Sequence, residues 1–432
     1  MEDKSVITKN KKYSLSLLFL SLFTVTNYFT PKYYLGDNFA HLPFYFAVLA
    51  LISILITNSK NKQKLLIFNK TNILLLIVYF FCFVFTYVIT VDHEHSLEIF
   101  TTFSKAVILY FLISHILTDF FKYKAYLFIL IFCSFGIAFK LVHYPIWHGG
   151  RAWLEGSSLV KDPNDLTALF VYSLPINVAL FLITRNKWLK IILIYTVFML
   201  LLGIIEAQSR GGFVALAVSI LVFIKQIEKK RQRRLIALLL IIIIPLFFLR
   251  YATPAYKNRI IEIFAPETDP TGSAQHRKRA MKLTFQYTLH HPFSEYGVGN
   301  HSYYLVEQIH PDLLHDSSVN IFRGSYLVHN LFLQFGADTG LIPLLVYISF
   351  VISLFSNLRI HQDRHNIIIN NRDYIITLKA LRVALYGFLA GAFFLPWAYR
   401  FYLFYIGGLI AALNNIGLSM LLRVDIKSQP VE

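Results

Sequence analysis

The strongest constraint on this chain is its series of apolar runs. There are about 12, each roughly 17–25 residues and so long enough to cross a bilayer as a helix. They centre on residues 13–29, 41–57, 71–91, 100–117, 124–142, 167–184, 188–206, 212–227, 235–250, 328–356, 378–396 and 402–421. In lipid, every backbone polar group must find its partner within the protein, so long unbroken apolar runs fold as helices. The expected fold is an all-α polytopic membrane protein. The run 328–356 is long for a single span and is expected to tilt or break near Gly340.

Composition agrees with this reading. Of 432 residues, 56% are hydrophobic and 15% charged. The net charge of +17 would suggest nucleic acid in a soluble protein. Here no nucleic-acid partner is expected, because the excess sits in alternate loops. One set holds Lys9, Lys11 and Lys12, Lys60, Lys62 and Lys64, Lys122 and Lys124, Arg185 and Lys187, and the run from Lys229 to Arg234. It continues with Arg359, Arg364 and Arg372, then Arg423 and Lys427. Of the intervening loops, 30–40 carries only Lys32, and 92–99 has no Lys or Arg. The positive-inside rule then places both termini in the cytoplasm, as an even number of spans requires. The first run, behind a basic start with no evident cleavage site, is expected to be a retained helix. The two cysteines, Cys82 and Cys133, lie inside apolar runs and suggest neither a disulfide framework nor a metal site.

Three regions follow: spans 1–9 in residues 1–250, a large outer segment at 251–327 between spans 9 and 10, and spans 10–12 in 328–432. The outer segment is too long for an ordinary connection. Its residues 264–272 read as irregular turns. Ser273–His290 has helical spacing, with Ala280, Leu283, Thr284 and Tyr287 on one face and Pro292 as terminator. Residues 296–301 form a glycine-permitted turn. No internal or inverted repeat is visible, which weighs against a transporter built from two related halves.

The residues with chemical potential gather on the outer side. Arg210, in Gln208-Ser209-Arg210-Gly211-Gly212, is held between two apolar helices with a fork of donors suited to phosphate oxygens. Pairing with Glu206, one helical turn earlier, is its bland role. In the basic run His276-Arg277-Lys278-Arg279, one helix face can point at the site; Arg277 is the first choice and Arg279 the second. His329 and Asn330 stand where the outer segment becomes a membrane helix. Gly336 and Gly340 read as close helix packing. Asp338 is expected to pair with a buried arginine or bond a neighbouring helix. Arg151 and the Asp162-Pro163-Asn164-Asp165 turn read as structural, with good capping residues. Arg400 lies in the turn Ala398-Tyr399-Arg400. Histidines 276, 290, 291, 301, 310 and 315 crowd one segment without a metal-ligand spacing, so no metal is expected.

QSRGGFVAL at 208–216, the Arg277-to-Gly299 stretch with its HP and GVG, and HNLFLQFGADTGL at 329–341 together resemble the O-antigen ligase/polymerase superfamily of bacterial envelope proteins. The chain departs from the family pattern at Met281, at Asp338 and in its Pro292-to-Gly297 spacing. The resemblance implies a glycosyltransferase of the bacterial inner membrane, without cofactor, working at the periplasmic face. It would move a glycan from undecaprenyl diphosphate to a lipid A–core sugar hydroxyl. O-antigen polymerase and protein O-oligosaccharyltransferase are the alternatives within the class, and a lipid-linked sugar transporter is the alternative outside it. Carried over by position, His329 is the catalytic residue, and Arg210 and Arg277 bind the diphosphate. Arg279, Asn330, Ser209, Asp338, Arg151 and Arg400 are the supporting candidates.

Overall fold

The computed structural model describes residues 14–61, 69–148, 150–157, 159–160, 162–265, 273–309, 327–359 and 371–427. Every one of the twelve apolar runs is helical. In order they are α1 (Leu15–Tyr28), α3 (Leu42–Asn61), α4 (Lys70–Tyr87), α5 (His93–Ile116), α6 (Phe120–His143), α7 (Pro163–Ile183), α8 (Lys187–Ala207), α9 (Arg210–Lys225) and α10 (Lys230–Tyr251). After the segment 251–327 come α14 (Leu331–Thr339) with α15 (Leu341–Asn357), then α16 (Arg372–Ala392) and α17 (Phe401–Lys427). Among the described residues nine helices are long and apolar enough to cross a membrane; α1 and α15 are shorter apolar helices. Between the runs lie α2 (Pro31–Leu35), α11 (Pro254–Phe264), α12 (Ser273–His290) and α13 (His301–Ile309). One small hairpin, β1 (Ile146–His148) with β2 (Arg151–Trp153), departs from the all-helical expectation.

Helix α17 is the axis of the bundle: residues 401–413 are all buried, and α5, α15 and α16 pack around them. Helix α7 is nearly as enclosed, against α8 and α16. Helix α10 is the opposite case: apolar all round with no buried residue, the character of a helix that faces lipid. Buried hydroxyls pair with one another, as an interior without water demands. Tyr28 and Tyr172 meet at 2.8 Å, Tyr126 and Tyr405 at 2.6 Å, and Thr24 joins Tyr126 at 2.8 Å.

The run 328–356 breaks at Gly340, whose φ of +99° only glycine adopts readily. A side chain there would overlap the backbone of Phe293, so Gly340 both breaks the helix and allows close packing against the Pro292–Phe293 turn. Gly336 also serves packing: an added Cβ would lie 2.7 Å from Thr288 Cγ2 on α12. Ser273–His290 is a helix as the spacing predicts, and Gly297 and Gly299 turn the chain after it at φ +87° and +83°.

The loops assigned to the outer side meet at one end of the bundle. Thr30 N donates to Gly156 O, Val91 N to Tyr296 O, and Asn330 Nδ2 to Phe393 O. Trp397 Nε1 donates to Asp165 Oδ1, and Tyr256 Oη to Ser209 O. The basic loops meet at the other end, where Lys379 pairs with Glu228 and Asn357 Nδ2 donates to Thr71 Oγ1.

Candidate active site at one end of the bundle

Arg210 owes its position to a sharp junction. Gln208, in the left-handed conformation at φ 49°, ends α8. Ser209 then caps α9, accepting from Gly212 N at 3.1 Å and donating to Asn164 Oδ1 at 2.8 Å. Asn164 Oδ1 also accepts from Arg151 Nη2 at 3.0 Å, and Asp162 caps α7 through Asn164 N. The junction is therefore bolted to the start of α7 and to the hairpin, and Arg210 follows as the first residue of α9. The ion pair it forms is not the one its spacing offered. Arg210 Nη1 meets Glu262 Oε2 of α11 at 3.0 Å, because α11 folds back onto α9.

His329 precedes Asn330, whose side chain caps α14. Asn330 Oδ1 accepts from Phe332 N and Leu333 N at 3.0 and 2.9 Å. With one Nδ2–H donated to Phe393 O, Asn330 fixes the start of the helix and keeps its second amide N–H uncommitted among the described residues. His329 itself is half-buried, and its Nδ1 is enclosed with no hydrogen-bond partner among the described residues. Burial, then the charge of Arg277 and then His301, push its pKa down to about 3, so the imidazole is neutral at pH 7.

Arg210, Arg277 and His329 line one cavity of about 310 Å³, together with Glu262 and Lys278. Its remaining wall includes the apolar Val214, Met281 and Phe394. Arg279 is exposed and does not line it; two residues along a helix lie roughly 200° apart, so Arg277 and Arg279 cannot face the same space. The positive charge extends behind the cavity. Arg151 is held down to about 10, first by burial, with Arg259, Arg277 and Arg210 opposing its charge and Asp162 favouring it. Against these four cations the structure sets Glu262 and Asp162. Arg259 and Glu262 had no signal in the sequence: both sit on α11, an undistinguished amphipathic stretch until folding lays it on α9.

Asp338 is wholly buried and lies outside this cavity. Its Oδ1 accepts from His301 N at 2.9 Å and faces His301 Nδ1 at 3.0 Å; its Oδ2 accepts from Tyr399 Oη at 3.0 Å. Val328 N points at His301 Nε2 at 3.4 Å. That bond assigns the imidazole proton to Nδ1, where it can be donated to Asp338. The partner of Asp338 is thus a histidine and not an arginine, and the pair braces the residue next to His329. Asp338→Ala leaves a buried backbone N–H, an imidazole and a phenol without an acceptor. It is expected to cost about 3–5 kcal/mol, and Asp338→Asn clearly less, read as thermal melting of the detergent-solubilised protein. Arg400 is exposed and opens on a different cavity. Of the crowded histidines, 310 and 315 lie outside the described residues; among the described residues no group of three His, Cys, Asp or Glu is arranged to hold a metal.

The fold and site define a polytopic helical membrane protein with a cationic, partly apolar cavity at one end of the bundle. Residues 194–348 match the family described as O-antigen ligase, and over that segment the chain is similar to the O-antigen ligase/polymerase superfamily. The matched segment holds Arg210, Glu262, Arg277 and His329. No curated protein matches the chain. A solved chain from "Structural coordination of polymerization and crosslinking by a peptidoglycan synthase complex" aligns with 83% of this chain and 98% of its own length. The identity is 13% and the TM-score 0.42.

Proposed function

We propose that the protein is a glycan ligase of the bacterial inner membrane, with both termini in the cytoplasm. It would transfer a glycan from undecaprenyl diphosphate to a sugar hydroxyl of lipid A–core at the periplasmic face. One observation carries this reading: Arg210, Arg277 and His329, from three separate stretches, line a single cavity whose walls are part charged and part apolar. A carrier lipid needs that combination, with its phosphates on cations at the interface and its tail in lipid.

The chemistry needs little else. A sugar diphosphate is already activated, so the main demand is to stabilise the charge that builds on the leaving diphosphate. Arg210 and Arg277 hold its oxygens, and Arg151 and Arg259 add to the field from behind. The acceptor oxygen attacks the anomeric carbon, and its proton passes to the neutral His329. The carbon–oxygen bond to phosphate breaks, and the diphosphate leaves with the electron pair. Donor binding brings negative charge beside Arg277, offsetting one of the effects that suppress His329 as a base, so its pKa rises when the base is needed.

Product analysis after deletion of the protein tests the reading. Loss of a ligase leaves full polymer on the carrier and bare lipid A–core. Single repeat units attached to core would instead identify a polymerase. Unchanged lipopolysaccharide with loss of glycosylated protein would identify a protein oligosaccharyltransferase.

A further inference from the structure

A second pair of spaces lies away from the cavity of Arg210, on the side of α5. One is a polar cavity of about 440 Å³, whose wall includes His95, Glu98, Gln334, His301, Tyr399 and Arg400. The other is a narrow crevice of about 120 Å³ between α1, α5 and α17, with Phe23, Ala106, Leu109, Phe401 and Tyr405 in its wall. The two share Thr102 and Arg400, and Lys105 joins Arg400 on the wall of the crevice.

One face of α5 records the arrangement. His95, Glu98, Thr102, Lys105 and Leu109 recur at helical spacing, so a single stripe runs from polar to cationic to apolar over about 20 Å. Lys105 is an exposed ammonium well inside a membrane-length helix, a placement that is expensive in lipid and marks function by default. No described carboxylate lies within ion-pair distance of it or of Arg400, although Arg400 does feel the charge of Asp165. Deeper in the polar cavity the wall changes character. Glu98 is an acceptor that repels phosphate but suits hydroxyls. Gln334 spends its Oε1 on Ala398 N, and its amide nitrogen makes no hydrogen bond among the described residues. Mixed carboxylate, amide and imidazole groups are what a sugar's hydroxyls need, while two cations at the rim suit a phosphate.

We propose that these spaces form one site for a membrane amphiphile with a phosphorylated sugar headgroup. Part of an acyl chain sits in the crevice, the phosphate lies between Lys105 and Arg400, and the sugar fills the polar cavity. The two cavities reach the same short stretch of chain: Leu327 lines this one and His329 the other. In the transfer proposed above, on which this role rests, the site takes the acceptor and presents its hydroxyl to His329 from the side opposite the donor.

The test is native mass spectrometry of the full-length protein released from phosphatidylcholine nanodiscs. Lipid A, undecaprenyl diphosphate and phosphatidylglycerol are the added probes. Lys105→Gln and Arg400→Gln are each expected to lower retention of lipid A about tenfold, the worth of one charge-assisted hydrogen bond, and Lys105→Arg to restore it. Undecaprenyl diphosphate retention should ignore these changes and be lost with Arg210→Ala. Wild-type retention of lipid A in both glutamine variants overturns the site. So does displacement of lipid A by an equal amount of phosphatidylglycerol, which would mark an ordinary anionic-lipid contact. Lipid A lost through Arg210→Ala overturns it as well. If lipid A depends on Lys105 but undecaprenyl diphosphate does not depend on Arg210, this site stands and the transferase reading falls.

Discussion

His329→Ala is expected to lower transfer about 10³-fold, the usual worth of a positioned general base, with the fold intact. The Nδ1 of His329 has no hydrogen-bond partner among the described residues, so the truncation orphans no group there. Melting should therefore shift by no more than about 1 kcal/mol of stability. The pH profile carries the finer information. A base acts deprotonated, so activity falls as pH drops through its pKa. Burial and the charge of Arg277 hold that pKa down to about 3. The acid limb of kcat/KM reports the free enzyme, and His329 should give it no fall between pH 8 and pH 5. The limb of kcat reports the bound complex, where the donor's negative charge raises the pKa, and it should appear at higher pH. Both profiles are measured with reconstituted protein. A fall in kcat/KM centred near the ordinary histidine value of about 6.5 would remove His329 as the suppressed base.

Arg210→Ala is expected to cost about 10²–10³ in kcat, the range for losing one preorganised donor to a developing anion. Arg210→Lys should recover only part of that, since a point charge does not replace a planar fork. Glu262 sharpens the expectation. It holds Arg210 at 3.0 Å, with both side chains 17% exposed. The diphosphate must compete with that carboxylate. Glu262→Gln should therefore lower KM for the donor several-fold, with kcat little changed, because the competing charge-assisted bond is weakened. A raised KM would mean instead that Glu262 orients Arg210 for the ligand. Steady-state kinetics with purified donor and acceptor separate the two outcomes.

Much of this architecture is legible in the residues. Membrane-length runs declare their helices because lipid leaves the backbone no other partner, and the lysine-poor loops do gather at one end. Arg210 and His329 stand out since an ionisable group beside an apolar helix is costly without a purpose. Other roles were hidden. Ser209 and Asn330, read as supporting site candidates, also cap α9 and α14. Lys105 passes for an ordinary charge until the crevice beside it is visible. Of the two expectations for Asp338 the second holds: among the described residues it bonds His301, at the start of α13, and Tyr399 rather than an arginine.

What the sequence by itself determined is the set of helices, their alternation between two ends, and the candidate charges at one of them. Those are local consequences of hydropathy, spacing and charge. Only the tertiary structure decided that α11 brings Arg259 and Glu262 to Arg210, that Arg277 rather than Arg279 faces His329, and that Arg400 serves a separate space. These depend on how helices rotate and lean against one another. That packing comes from many weak contacts between distant residues, and no local pattern in the chain encodes it.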